Sequence, residues 1–362
     1  MNQRSRVLVA GTATIAMFLL VQVGALSLVG PFESAGYQSV KNPSDPLNSI
    51  YYVGVLLVFT ALMLLVIKLD VQWILRAFMV LTSGLISLYV FSIFVPDLVS
   101  VQVGGAPVNL LAWVAAGLVA LALYVYPEWW VIDGTGIIMG AGAAGLFGIS
   151  FGILPAIVLL SVLAVYDAIS VYGTEHMLTL AEGVMELRVP VLLIVPLTLP
   201  YSFLDDASGT DESADAEEAI ETDDTGVTTD SGVTTDAGET AETADGGEPA
   251  SEREVDRGAL DREAFFIGLG DAVMPTVMVA SAAFFSPATA FTLLGLRLNL
   301  PALTAMVGTL LGLVVLLWMV MKGRAHAGLP LLNGGAIGGY LVGALLSGIT
   351  LVEALGLGGF HF

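Results

Sequence analysis

Two aspartates, Asp167 and Asp271, stand in otherwise apolar stretches, LAVYDAISV and GLGDAVMP, of a 362-residue chain. An ionisable group at membrane depth is expensive, and by default it marks function. The other acids near apolar segments are placed differently: Asp70, Asp97, Glu128 and Asp133 fall at segment ends, where water is near, and Glu353 follows the last segment. Two carboxyl groups that share a water-poor site do not both ionise cheaply, so the pair keeps one proton. The ionised member can take a proton from water while the protonated member polarises a carbonyl. That is the chemistry of peptide hydrolysis through a tetrahedral diol, without a covalent intermediate.

Such a pair requires elements that bring both acids to one depth. Asp167 lies six residues before Gly173, where its segment ends, and Asp271 lies seven after Ala264, where its segment is expected to begin. At 1.5 Å per residue both sit about 9–10 Å below the same surface. The two helices run in opposite directions, so as neighbours they would face their carboxyl groups toward each other.

The wider chain supports a membrane setting. It is 56% hydrophobic and 12% charged, about half the charge of an ordinary soluble domain. A helix crossing the hydrocarbon core needs about 20 apolar residues. Nine segments qualify, at 7–30, 48–68, 73–95, 108–126, 131–152, 155–173, 264–285, 301–321 and 329–350. Pro31, Pro96, Pro107, Pro155 and Pro287 sit at or near their ends, as proline commonly does. Arg4 and Arg6 imitate a signal peptide, but the run from Val7 to Gly30 is long enough to read as a retained helix. The expected fold is therefore an all-α membrane protein of nine transmembrane helices.

Lys and Arg placement predicts a cytoplasmic N-terminus and an outer C-terminus. Outside the long loop, Arg4, Arg6, Lys68, Arg76, Arg188, Lys322 and Arg324 fall on the inner side, against Lys41 and Arg297 on the outer. Tyr124, Tyr126, Trp129 and Trp130 read as an interfacial aromatic belt.

Four domains follow: 1–187 holds the first six helices and a short interfacial helix over 174–187; 188–204 is an extended interfacial segment; 205–262 is a disordered acidic cytoplasmic loop; 263–362 holds the last three helices. Pro190, Pro196 and Pro200 argue against a helix in the second of these. Residues 205–263 contain 21 of the 33 acids, so the net charge of −21 belongs mostly to this loop. It lacks the apolar surface that would offset ordering. No basic patch invites nucleic acid. With no cysteine, disulfides, thiol nucleophiles and thiolate metal sites are excluded. His176, His326 and His361 are not paired at ligand spacing, so no metal or organic cofactor is expected. The small-residue runs at 139–145 and 333–339 read as close helix packing, with Asn333 a candidate to line the site.

Three short motifs resemble those of the presenilin and signal peptide peptidase family of intramembrane aspartyl proteases. Val165-Tyr166-Asp167-Ala168 is similar to the family's Tyr-Asp motif, and Gly268-Leu269-Gly270-Asp271 to its Gly-x-Gly-Asp motif. Ala327-Gly328-Leu329-Pro330 stands at the place of its Pro-Ala-Leu motif, with Ala327 for the usual proline and Gly328 for the usual alanine. The layout of nine helices, with a hydrophilic loop between the sixth and seventh, also resembles the family and covers the whole chain. The resemblance implies an aspartic endopeptidase acting within transmembrane segments of single-pass substrates, with Asp167 and Asp271 catalytic. It implies that Tyr166, Gly268, Leu269, Gly270, Gly328, Leu329 and Pro330 shape the site or receive substrate. A cytoplasmic N-terminus is presenilin-like and implies substrates whose own N-terminus is outside. The acidic loop resembles those of halophilic archaeal proteins. The rival reading from the residues alone is a proton-coupled transporter or channel that uses the same acids as a relay. The two motifs are not copies of each other, as an internal transporter repeat would require. A non-catalytic membrane scaffold is a third possibility.

Overall fold

The computed structural model describes residues 3–69, 72–103, 106–173, 192–196, 264–321 and 327–357. The expected interfacial helix over 174–187 and the acidic loop lie outside these residues. The chain separates into two units: residues 1–201 with 263–362, and residues 202–262, none of which are among those described.

Among the described residues are nine helices of 16 residues or more: α1 Gln3–Ser34, α2 Leu47–Lys68, α3 Gln72–Phe94, α4 Leu110–Val125, α5 Trp129–Ser150, α6 Ile153–Gly173, α7 Leu269–Phe285, α8 Leu300–Val320 and α9 Gly328–Leu346. A four-residue helix, α10 Leu351–Ala354, follows. Seven of the nine are long and apolar enough to cross a membrane; α4 and α7 are shorter apolar helices. The solvent these helices need is evident from α2. It is apolar on every side, yet only 6% of its spanning window is buried in the protein, against 61% for α5. A helix apolar all round is stable only in a core or in lipid, so α2 faces lipid and α5 forms the centre. The protein is a multi-span membrane protein.

The bundle is not purely helical. The described residues hold three antiparallel two-stranded sheets: β1 Ser100–Val103 with β2 Ala106–Asn109, β3 Leu192–Pro196 with β4 Ala264–Gly268, and β5 Ala290–Leu293 with β6 Leu296–Asn299. The β5–β6 turn places Leu294 at φ 52° and Gly295 at φ 82°, the two positive values that a tight hairpin turn needs. Hairpins β1–β2 and β5–β6 each end in an asparagine cap. Asn109 Oδ1 accepts from the N–H of Leu111 and Ala112 at the start of α4. Asn299 Oδ1 accepts from Ala302 N at 2.9 Å, while its Nδ2 donates to Ala282 O at 2.8 Å. One side chain thereby starts α8 and closes the end of α7.

The expected helix over 264–285 is corrected. Residues 264–268 form strand β4, and the helix begins only at Leu269. The reason is local. Phe265, Phe266 and Ile267 favour a strand, Gly268 and Gly270 weaken a helix, and β3 supplies a partner.

Close packing around α5 and α9 sets where the site lies. A Cβ on Gly335 would overlap the carbonyl of Gly308, and the reverse holds too, so α8 and α9 touch backbone to backbone. Phe18, Val21 and Ala25 of α1, Leu193 of β3, Leu269, Ala272, Val273 and Val277 of α7, Leu313 and Leu316 of α8, and Leu332 of α9 form one buried cluster. The sheet β3–β4 and the first turn of α7 rest on it.

Candidate active site

Asp167 lies on α6, six residues before the helix ends, and is partly buried. Its Oδ2 accepts a hydrogen bond from the main-chain N–H of Leu329 at 3.0 Å. Leu329 is the second residue of α9. The first four N–H groups of a helix have no acceptor within it, and the positive end of the helix favours an anion. Asp167 therefore meets the start of α9 as a cap supplied from another helix.

Pro330 is the third residue of α9. The N–H it lacks is one of the four without an intrahelical acceptor, so the proline starts this helix without breaking it. Leu329 and Gly328, just before it, keep their N–H groups at the partly buried start of the helix.

Asp271 is the third residue of α7, directly after the β4 strand. Its depth is thus set by a strand followed by one helical turn, not by two turns of helix. Its Oδ2 lies 3.4 Å from where a Cβ would stand on Gly268, the N-cap of its own helix. The same oxygen lies 3.4 Å from where a Cβ would stand on Gly328, the first residue of α9. Two successive residues of α9 thus border the two acids, Gly328 with its Cβ position facing the Asp271 carboxyl and Leu329 bonded to Asp167. The two carboxyl groups are close enough to act on each other electrostatically.

The remaining expected residues divide by position. Leu269 is 6% exposed, and its Cδ1 sits against Gly136 and Gly140 of α5; it anchors the first turn of α7. Gly270 is exposed, with nothing within 4 Å of where its Cβ would lie. Neither Gly268 nor Gly270 has a positive φ. Their lack of a side chain therefore matters as space, at Gly268 for the Asp271 carboxyl and at Gly270 as an opening next to it. Tyr166 is half exposed on α6 and makes no hydrogen bond among the described residues.

Sequence reasoning missed or underrated three residues. Asp133, taken for a water-facing residue at a helix end, is 4% exposed, and its Oδ1 accepts from the N–H of Ile194 in β3 at 2.7 Å. Its spacing with Gly136 and Gly140 is the signal that was available: positions i, i+3 and i+7 share one helix face. Asn333 is fully buried and donates from Nδ2 to Leu160 O at 3.0 Å, tying α9 to α6. Pro275 lies inside α7, where it removes the N–H that would pair with the carbonyl of Asp271. Among the described residues no group of three or more histidine or acidic side chains is placed to hold a metal ion.

A polytopic bundle that brings two carboxyl groups together beside a helix start and a short sheet has the parts of an aspartic protease working inside a membrane. The family model for signal-peptide peptidase, presenilin aspartyl protease matches residues 15–349, and the chain belongs to that family. It is an intramembrane aspartic endopeptidase. Two solved structures of a presenilin family intramembrane aspartate protease, in C222 and P2 space groups, are each 31% identical to it. The first aligns with a TM-score of 0.57 over 93% of this chain and 99% of that one. The second aligns with a TM-score of 0.53 over 92% and 97%. No curated protein matches the chain.

Proposed function

We propose that Asp167 and Asp271 are the general acid–base pair of this protease and that it cuts peptide bonds within transmembrane segments of single-pass proteins. The observation that carries this reading is the shared contact with α9: Leu329 N–H bonded to Asp167 and Gly328 against Asp271. A water held between the carboxyl groups loses a proton to the ionised acid as its oxygen attacks the scissile carbonyl. The protonated acid gives its proton to the carbonyl oxygen, and a tetrahedral diol forms. Collapse of the diol breaks the C–N bond; one diol hydroxyl returns its proton to the pair, and the amine nitrogen takes one from it. The single proton belongs to the pair.

An intact helix shields its peptide groups, so substrate must unwind locally. The β3–β4 sheet beside Asp271 offers a template for an extended segment, as in recognition by strand addition. The open volume at Gly270 is the place where that segment approaches Asp271. Tyr166 and the 327–330 turn complete the surroundings. The Lys and Arg bias supports a cytoplasmic N-terminus and acidic loop, an outer C-terminus, and substrates with their N-terminus outside. Helices one to six, the 188–204 connection, the acidic loop and helices seven to nine are the working divisions of the chain.

The test is cleavage of a labelled transmembrane peptide by purified protein in liposomes. Asp167→Ala and Asp271→Ala are each expected to abolish it. Cleavage that persists in either variant would remove that acid from the mechanism.

A further inference from the structure

We propose that Asp133 is a positioning residue for Asp271: it holds the β3–β4 sheet, and through it the first turn of α7, against α5. The proposal rests on Asp271 being catalytic. The linkage is short. Asp133 Oδ1 accepts from Ile194 N at 2.7 Å. Ile194 lies opposite Phe266 in the sheet. Two residues further along β4 is Gly268, the N-cap of α7, and three more lead to Asp271.

The same face of α5 receives the side chains of this junction. A Cβ on Gly136 would stand 3.2 Å from Leu193 Cδ2 and 3.7 Å from Leu269 Cδ1. A Cβ on Gly140 would stand 3.3 Å from both Leu269 Cδ1 and Val273 Cγ2. Asp133, Gly136 and Gly140 therefore form one cradle: a backbone acceptor followed by two hollows. A two-stranded sheet is marginal by itself, and β3 has only five residues. It needs an external anchor, and this cradle is one.

The choice of an acid is informative. Asp133 is 4% exposed, and its Oδ2 has no hydrogen-bond partner among the described residues. An orphaned carboxyl oxygen in a bundle is a standing penalty. The bond from the Ile194 N–H satisfies the other oxygen and so offsets part of it. Any strand that extended the sheet on the β3 side would also have to displace this bond. The acid thus fixes the position of the sheet and keeps the Ile194 N–H occupied.

The experiment uses the full-length protein in liposomes with the labelled transmembrane peptide, measuring kcat and KM separately, together with backbone hydrogen exchange. Asp133→Ala removes the acceptor; Asp133→Asn keeps an oxygen to receive the Ile194 N–H. Misplacing a catalytic group by about 1 Å costs on the order of 10²-fold. The expected result is a kcat loss of about that size for Asp133→Ala with a smaller change in KM, and faster exchange confined to 192–196 and 264–269. Asp133→Asn should recover about tenfold or more of the lost kcat. An unchanged kcat in Asp133→Ala overturns the proposal, as does loss of protection throughout the bundle or failure of Asp133→Asn to recover activity. Asp271→Ala, run in parallel, separates the two readings. If it still cleaves, the dyad assignment falls and takes the positioning role with it. If it is inactive while Asp133→Ala is normal, only the positioning role falls.

Discussion

The main-chain N–H of Leu329 donates to Asp167 Oδ2 at 3.0 Å, joining residues 162 positions apart. A free N–H at a helix start and a carboxyl on a neighbouring helix satisfy each other. The contact does not depend on the Leu329 side chain, only on its backbone. Leu329→Ala should therefore keep the bond, and Leu329→Pro should remove it while remaining compatible with a first-turn position. A hydrogen bond to a charged group contributes about 1.5–3 kcal/mol. Leu329→Pro is expected to lower kcat/KM by about tenfold to a hundredfold, with Leu329→Ala much closer to the parent. Equal activity of the two variants would show that the N–H is not used.

Gly328 replaces the alanine that the resemblance leads one to expect, and the structure shows what the replacement does. A Cβ there would sit 3.4 Å from Asp271 Oδ2 and 3.4 Å from Leu316 Cδ2, which is ordinary contact. Gly328→Ala should fold normally, gain up to about 1 kcal/mol from a less flexible unfolded chain, and cleave within about twofold of the parent. Gly328→Val adds two methyl groups against the carboxyl and should lose activity in the peptide assay. A Gly328→Ala variant as inactive as Gly328→Val would mean that the acid needs more room than the contact distance indicates.

Gly270 permits a sharper separation of stability from function. Its Cβ position is open and its φ is not positive, so Gly270→Ala strains nothing. The melting temperature in detergent should hold or rise slightly, with a gain of about 0.4–1 kcal/mol. If an unwound substrate passes through that opening, KM rises or kcat falls in the same variant. Unchanged kinetics would place the substrate elsewhere around Asp271.

How much was legible in the sequence depends on the kind of signal. The extents of α2, α3 and α8 follow from apolar runs bounded by prolines and charges, and the helices begin and end within one residue of those runs. That Asp167 and Asp271 differ from the other acids was legible too, because each stands in an otherwise apolar stretch. Their matching depth was argued from the wrong element. Residues 264–268 are as apolar as a helix start, and only pairing with Leu192–Pro196 makes them a strand; the extended character of 188–204 was legible, but nothing local says which segment it pairs with. The β1–β2 and β5–β6 hairpins escaped for a different reason: their strands are only four residues long and lie against the apolar runs of the helices that follow them. Asp133 was misread because nearness to a helix end was equated with nearness to water, whereas a strand from sixty residues away covers it.

The α8–α9 contact yields the last prediction, one that concerns the position of Leu329 and Gly328 rather than their chemistry. Gly308 and Gly335 approach so closely that a Cβ on either would overlap the carbonyl of the other. Within lipid, where apolar burial supplies little drive between helices, such backbone proximity is what holds them. Gly335→Ala must push α9 away from α8, at about 1–3 kcal/mol for overpacking. Asn333, two residues earlier, still ties α9 to Leu160 O of α6, so the helix is expected to pivot about that bond rather than detach. The start of α9, where it meets both carboxyl groups, would move with it. Gly335→Ala should therefore lower both the melting temperature in detergent and kcat, and adding Asn333→Ala should deepen both losses by more than the sum of the two single effects. Additive losses would mean that α8 and α6 hold α9 independently.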